Sequence, residues 1–226
     1  MKLRNGKTIG NEPIIGYKMA SWDKLVILEI PPTALHNMNR TNIADRRFAK
    51  YRCSEAFVKE IVDLKTGINV MEAFSKQVGS FNYVVGQRVF PEFFDRNLEK
   101  VCTGGIHYFI DRPRAEMYER KPFNGVHKEW YDDGLLSSEC VYRNGRVEGV
   151  LKVWHKNGQL ALTRFYKNGL LQGESKLWYE NGKLHRVENF KDGMFHGVSK
   201  EWDEDGNLTE ECLYDDGYLS KNWYRD

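Results

Sequence analysis

The chain has 226 residues and a mass of 26.5 kDa, with 41% hydrophobic, 13% aromatic and 29% charged residues; this suits one or two folded domains and excludes a disordered polymer. Lys and Arg number 34 against 32 Asp and Glu, a formal charge of +2, which is too weak a field to make nucleic acid an expected partner. The longest aliphatic run, Leu25 to Leu28, is too short to span a bilayer, and the first residues lack a signal-peptide pattern, so no transmembrane segment or leader is expected and the reading is cytoplasmic.

In chain order, residues 1–13 read as a flexible segment and 14–119 as an α+β domain without internal period. Leu25 to Ile30 before Pro31-Pro32 reads as a buried strand ended by proline. The run Arg46-Arg47-Phe48-Ala49-Lys50-Tyr51-Arg52 interleaves cations with aromatics, as a nucleic-acid contact would. Residues 1–118 carry only 18 basic against 13 acidic residues, however, so a solvated face is the preferred reading. Ser54 is placed to cap a helix over Glu55 to Leu64, since Phe57, Val58, Ile61 and Val62 share one helical face and Gly67 can end it. Phe81 to Val85, Val89-Phe90 and Ile106 to Ile110 are further strand candidates.

Cys102 and His107 flank Gly104-Gly105, and a thiol near an imidazole across a turn could form a nucleophile and base. The histidine falls inside an apolar strand, so packing is the preferred reading, with an enzyme seated here as the alternative. The other cysteines, Cys53, Cys140 and Cys212, show no CxxC spacing and no HxxxH accompanies them. Free thiols, no metal and no cofactor are expected.

From Gly125 the chain repeats every 24 residues: 125–148, 149–172, 173–196 and 197–220, with 221–226 as a tail. Lys128, Lys152, Lys176 and Lys200 recur, followed by Trp130, Trp154, Trp178 and Trp202, then Leu136, Leu160, Leu184 and Leu208. An aromatic closes each unit at Tyr142, Tyr166, Phe190 and Tyr214. Two Asn-Gly or Asp-Gly steps per unit mark turns, and the nine to eleven residues between them are strand length. Each unit is therefore a β-hairpin, and the array an elongated antiparallel meander whose stability comes from stacking of neighbours. Lys, Trp, Leu and the closing aromatic share one parity, which predicts a single row on one face that forms the core. Trp154→Ala is then expected to cost ~3–5 kcal/mol. Tyr118 and Phe123 stand one period ahead of Tyr142 and Val147, which suggests a degenerate half-unit leading in.

The pattern G-x-x-K-x-W-x-x-[DN]-G-x-L followed by [YF]-x-[DN]-G resembles the longer variant of the MORN repeat. That resemblance implies an elongated sheet used for protein contacts, self-association or, in some members, membrane lipids, and does not imply catalysis. Tyr83-x-Val85-Gly86-x-x-Val89-x-Pro91-x-x-Phe94-Asp95, with Cys102-x-Gly104-Gly105-Ile106-His107-x-Phe109-Ile110 and Ala115-Glu116-x-Tyr118, resembles an uncharacterised domain of phages and large DNA viruses. Together the halves resemble MORN-repeat proteins of giant viruses of amoebae, such as the marseilleviruses. The resemblance implies a structural or virion-associated role, in host cytoplasm or virion.

Candidate binding residues follow from charge. The four repeat lysines stand two positions before the tryptophans, an arrangement that suits an anionic lipid surface; the plainer reading is that each stem covers its indole. Repeat two holds four basic and no acidic residues, whereas repeat four holds Lys200 against eight carboxylates, Glu201, Glu204, Glu210 and Asp215 among them. Such an acidic end blunts an exposed edge, meets the basic middle of another copy head to tail, or docks a basic partner, with Trp223 as apolar cap or interface anchor.

Overall fold

The computed structural model describes residues 12–75, 82–118 and 120–224. Most of the segment expected to be flexible, Phe81 and the last two tail residues lie outside them. The chain divides into two compact units: a head of Met1–Tyr118 together with Asp132–Gly134, and an array of Glu119–Tyr131 and Leu135–Asp226.

The head contains β1 (Ile14–Met19), β2 (Lys24–Ile30), β3 (Tyr51–Cys53), β4 (Ala56–Asp63), β5 (Glu72–Phe74), β6 (Asn82–Val84), β7 (Arg88–Val89), β8 (Ile106–Tyr108) and α1 (Arg112–Met117). Strands β1-β2-β4-β7 form one sheet, while β3 pairs β8 and β5 pairs β6. The head is mostly strand with one six-residue helix among its described residues, so the α+β expectation gives way to a mostly β one. The predicted strand before Pro31-Pro32 is β2, whose Leu25 to Leu28 are all buried. The core gathers Val26, Leu28, Ile30, Val58 and Ile61 with the buried rings of Tyr51, Tyr83 and Tyr108.

The segment expected as a helix over Glu55 to Leu64 is strand β4, and the reason is local. Ile27 faces Glu60 while Leu28 faces Val58, so Lys59 is an extra residue that bulges out of the ladder. The bulge reverses parity, and Val58 and Ile61, three apart, both reach the core. A bulged strand thereby imitates the spacing of a helical face. Ser54 caps no helix; its Oγ accepts from the Leu35 amide at 3.0 Å. The one head helix starts instead at Asp111, whose carboxylate accepts from the Arg114 amide at 2.9 Å, with proline in the first turn.

The array contains β9 (Gly125–Trp130), β10 (Leu136–Arg143), β11 (Arg146–Trp154), β12 (Leu160–Lys167), β13 (Leu170–Leu171), β14 (Gly173–Trp178), β15 (Leu184–Lys191), β16 (Met194–Phe195), β17 (Gly197–Trp202), β18 (Leu208–Asp215) and β19 (Tyr218–Asn222). They form one 11-stranded sheet of antiparallel pairs in the order β9-β10-β11-β12-β14-β15-β17-β18-β19, with the short β13 also on β12 and β16 also on β15, the expected meander of hairpins. The two turn classes differ. Asn144-Gly145, Asn168-Gly169, Asp192-Gly193 and Asp216-Gly217 hold both residues at positive φ, the type I′ geometry that matches strand twist. At the other turns only the glycine is left-handed, as at Gly158, whose amide bonds the His155 carbonyl at 2.9 Å while the His155 amide bonds Gln159.

Candidate functional site: the faces and junctions of the repeat array

Each hairpin carries a bulge at one equivalent residue: Ser137, Ala161, His185 and Thr209. Before it, Leu faces Trp across the strands, as in Leu160 against Trp154; after it, parity is reversed. The Trp and Leu rows therefore share one face with the lysines, while Tyr142, Tyr166, Phe190 and Tyr214 lie on the other. The single row expected from sequence is divided between two faces. The indoles are half-buried, as are the leucines opposite them, whereas Tyr142 and Phe190 are buried.

The aromatic face is the more covered one and it is polar. His127 pairs Cys140, Ser175 pairs Glu188 and Ser199 pairs Cys212; all but Ser199 are buried. The Arg164 guanidinium reaches Ser175 Oγ at 3.3 Å and Glu188 at 4.0 Å, while Arg186 bonds both Glu188 and Glu201. Arg186 has its pKa raised: desolvation opposes its charge, but the bonds to Glu201 and Glu188 outweigh that. Phe195 stacks between Phe190 and Tyr214, with centroids at 4.7 and 5.1 Å.

On the Trp face, Lys128 pairs Glu139 at 2.7 Å, Lys176 pairs Glu174 at 2.6 Å and Lys200 pairs Glu211 at 3.1 Å; Lys152 is exposed. Repeats one and two add exposed apolar residues there. Val126 faces Val141 and Val150 faces Phe165 on four consecutive strands, and each is 40–49% exposed. Of the acidic candidates, Glu201 is tied to Arg186, Glu210 accepts from Asn222 at 3.2 Å, the Glu204 carbonyl accepts from Asn181 at 3.2 Å, and Asp215 faces His196 at 3.3 Å. Trp223 is exposed beneath the Lys221 ammonium, 5.2 Å from its centroid.

In the head, Cys102 and His107 serve different partners. His107 Nε2 donates to the Val101 carbonyl at 2.8 Å, and burial lowers its pKa to about 4. The Cys102 thiol donates to Asp132 at 3.1 Å, and its pKa is raised by desolvation first and by that bond second. Lys50 lies 3.8 Å from the sulfur and 3.2 Å from the Tyr118 hydroxyl. Desolvation opposes its charge, but Tyr118, Cys102 and Asp132 outweigh that and lift its pKa. All four cysteines are free thiols.

The basic run is largely engaged within the head. Arg46 bonds the Met38 carbonyl at 2.6 Å, Arg47 pairs Asp111 at 2.8 Å, and fully buried Arg52 bonds the carbonyls of Asp95, Asn97, Lys100 and Gly104. These cations fasten the 95–104 loop and α1, which leaves little charge for a phosphate backbone.

Residues 147–168, 171–192 and 195–216 match the MORN repeat variant. Residues 147–216 of the array are MORN repeats. The repeat that opens at Gly125 precedes the matched segments and pairs in the same register. Residues 5–115 match a family of unknown function (DUF5758), so a DUF5758 domain precedes the MORN repeats. Uncharacterized protein L223 of Acanthamoeba polyphaga mimivirus is 29% identical over 126 residues, covering 52% of this chain and 76% of that protein. That likeness agrees with the expected link to giant viruses. MORN repeats are generally protein- or membrane-interaction modules. Among the described residues, no helix is long and apolar enough to cross a membrane.

Proposed function

We propose that this protein is a non-enzymatic interaction and assembly scaffold whose MORN array docks a protein partner or a second copy of the chain. One observation carries the reading. Val126 pairs with Val141 and Val150 pairs with Phe165, two exposed apolar cross-strand pairs on the four strands β9 to β12 and on the same face as Lys128 and Lys152. Apolar residues gathered in this way on a polar sheet mark an interaction surface more often than scattered ones do. The reading extends to a structural or virion-associated role, in host cytoplasm or virion; the likeness to a mimivirus protein supports the giant-virus link alone. The test is light-scattering chromatography and pull-down with the full chain and a Val150→Glu/Phe165→Glu variant. Loss of self-association or partner capture in a folded variant supports the reading; unchanged capture overturns it.

A second reading, anionic lipid binding, rests on repeat two, which has four basic and no acidic residues. It draws less from the lysine row as a whole, since Lys128, Lys176 and Lys200 are neutralised by carboxylates. Flotation with phosphatidylserine vesicles separates it from protein docking.

A further inference from the structure

The last residue before each repeat leans on the type I′ turn of the repeat that follows, 20 residues on. Asn124, in the lead-in to the array, accepts from the Asn144 amide at 2.8 Å, and Glu148 accepts from the Asn168 amide at 2.7 Å. Gln172 then donates to the Asp192 carboxylate at 2.5 Å. At the fourth junction the same positions hold His196 and Asp216, and the geometry changes. His196 Nδ1 is shielded from solvent and makes no hydrogen bond, although an Asp215 oxygen lies at 3.3 Å and an Asp216 oxygen at 3.4 Å. Position 19 changes as well: Arg143, Lys167 and Lys191 give way to Asp215. A cation at this corner is thus replaced by a second carboxylate only where a histidine stands opposite.

We infer that His196, Asp215 and Asp216 form a site for a divalent transition-metal ion of the zinc type. Their ligand atoms all lie within 4.8 Å of one another. Tetrahedral zinc, with arms of about 2.0–2.1 Å, sets neighbouring ligand atoms about 3.3–3.4 Å apart, which is the spacing from the nitrogen to each oxygen. One imidazole with two carboxylates suits zinc better than the all-oxygen sets that magnesium and calcium select. The surroundings favour a cation too, because repeat four carries eight carboxylates against Lys200.

The corner is built before any metal arrives. The His196 amide donates to the Asn189 carbonyl at 2.8 Å, and the Gly217 amide donates to the Phe195 carbonyl at 2.8 Å, which holds the last turn against the residue preceding the histidine. Asp216 occupies the first left-handed position of that turn, at φ 45°. A bound ion would tie the connection between β16 and β17 to the end of β18, and so fasten the terminal hairpin to the repeat before it. The inference stands apart from partner docking, since neither needs the other.

The test is calorimetric titration of the chelator-treated full chain with zinc chloride, and separately with magnesium chloride. The variants are His196→Gln and Asp215→Lys, which install the residues that the preceding junction already carries at Gln172 and Lys191, so both should fold. The expected result is one zinc ion per chain, no saturable magnesium binding, and at least tenfold weaker zinc binding in both variants. Zinc should also raise the melting temperature of the parent and not of His196→Gln. Equal zinc binding by parent and variants, or no saturable zinc binding by the parent, would overturn the site.

Discussion

The Tyr131 hydroxyl donates to the backbone carbonyl of Trp154, 23 residues further along the chain, at 2.7 Å. Tyr179 repeats the bond to Trp202 at 2.8 Å, and His155 Nε2 lies 2.8 Å from the Trp178 carbonyl. The residue after each of the first three repeat tryptophans thus reaches the next repeat's tryptophan backbone, where the bulge interrupts regular pairing. Removing the Tyr179 hydroxyl strands that carbonyl, so Tyr179→Phe should lower stability by about 1 kcal/mol. Urea unfolding of the two proteins checks this, and equal midpoints would show that the inter-repeat bond contributes nothing.

Gly134 and Gly158 hold the same place in repeats one and two, both left-handed, at φ 96° and 84°. A Cβ on Gly158 meets nothing within 4 Å, whereas one on Gly134 would sit 2.0 Å from the Asp45 carbonyl oxygen. Gly158→Ala should therefore cost only the backbone penalty, about 1–2 kcal/mol. Gly134→Ala should cost clearly more, because a backbone atom has to move. Thermal melts of the two variants give the comparison, and equal losses would remove the close approach.

Phe190 and Trp154 were expected to act alike as core aromatics. Phe190 is 9% exposed and stacks on Phe195, while Trp154 is half-buried. Phe190→Ala should cost about 3–5 kcal/mol as a buried aromatic, and Trp154→Ala less. The reverse order in denaturant titrations would place the core on the indole face.

His107 is held neutral by burial, with its pKa lowered to about 4 from 6.5. Between those values the unfolded imidazole binds a proton that the folded one refuses. Its contribution to stability is complete above about pH 6.5 and is lost as pH falls toward 4. His107→Gln can keep the donor to Val101 without titrating, so its stability should fall less steeply over that window. Parallel slopes from pH 7 to 4 would assign the loss to other groups.

Much of the array could be read directly from its sequence. Asn-Gly and Asp-Gly steps fix where the chain reverses because few other residues accept positive φ, and the distance between them leaves room only for strands. Phe123 illustrates how far the period reaches: its carbonyl accepts from Gly145 at 2.7 Å, as the Val147 carbonyl does from Gly169 at 3.0 Å. Tyr118, also one period ahead, departs from the pattern and packs on Phe109 in the head at 5.2 Å. In the head, the start of α1 has its sequence signal in the Asp111-x-Pro113 step, a capping carboxylate followed by a first-turn proline.

The sequence by itself determined the period, the turns and the antiparallel order, since these depend on local backbone preference and on a pattern repeated four times. Tertiary structure decided which side chains share a face, because one inserted residue per hairpin reverses every alternation after it. It made β4 a strand for the same reason, since Lys59 is recognised as a bulge only when β2 lies alongside. It also decided what the charges do, engaging the basic run with carbonyls and Asp111 of the head and bringing His196 to Asp215 and Asp216 from about twenty residues away. Pairing partners lie outside any local window, and only the folded sheet sets their distance.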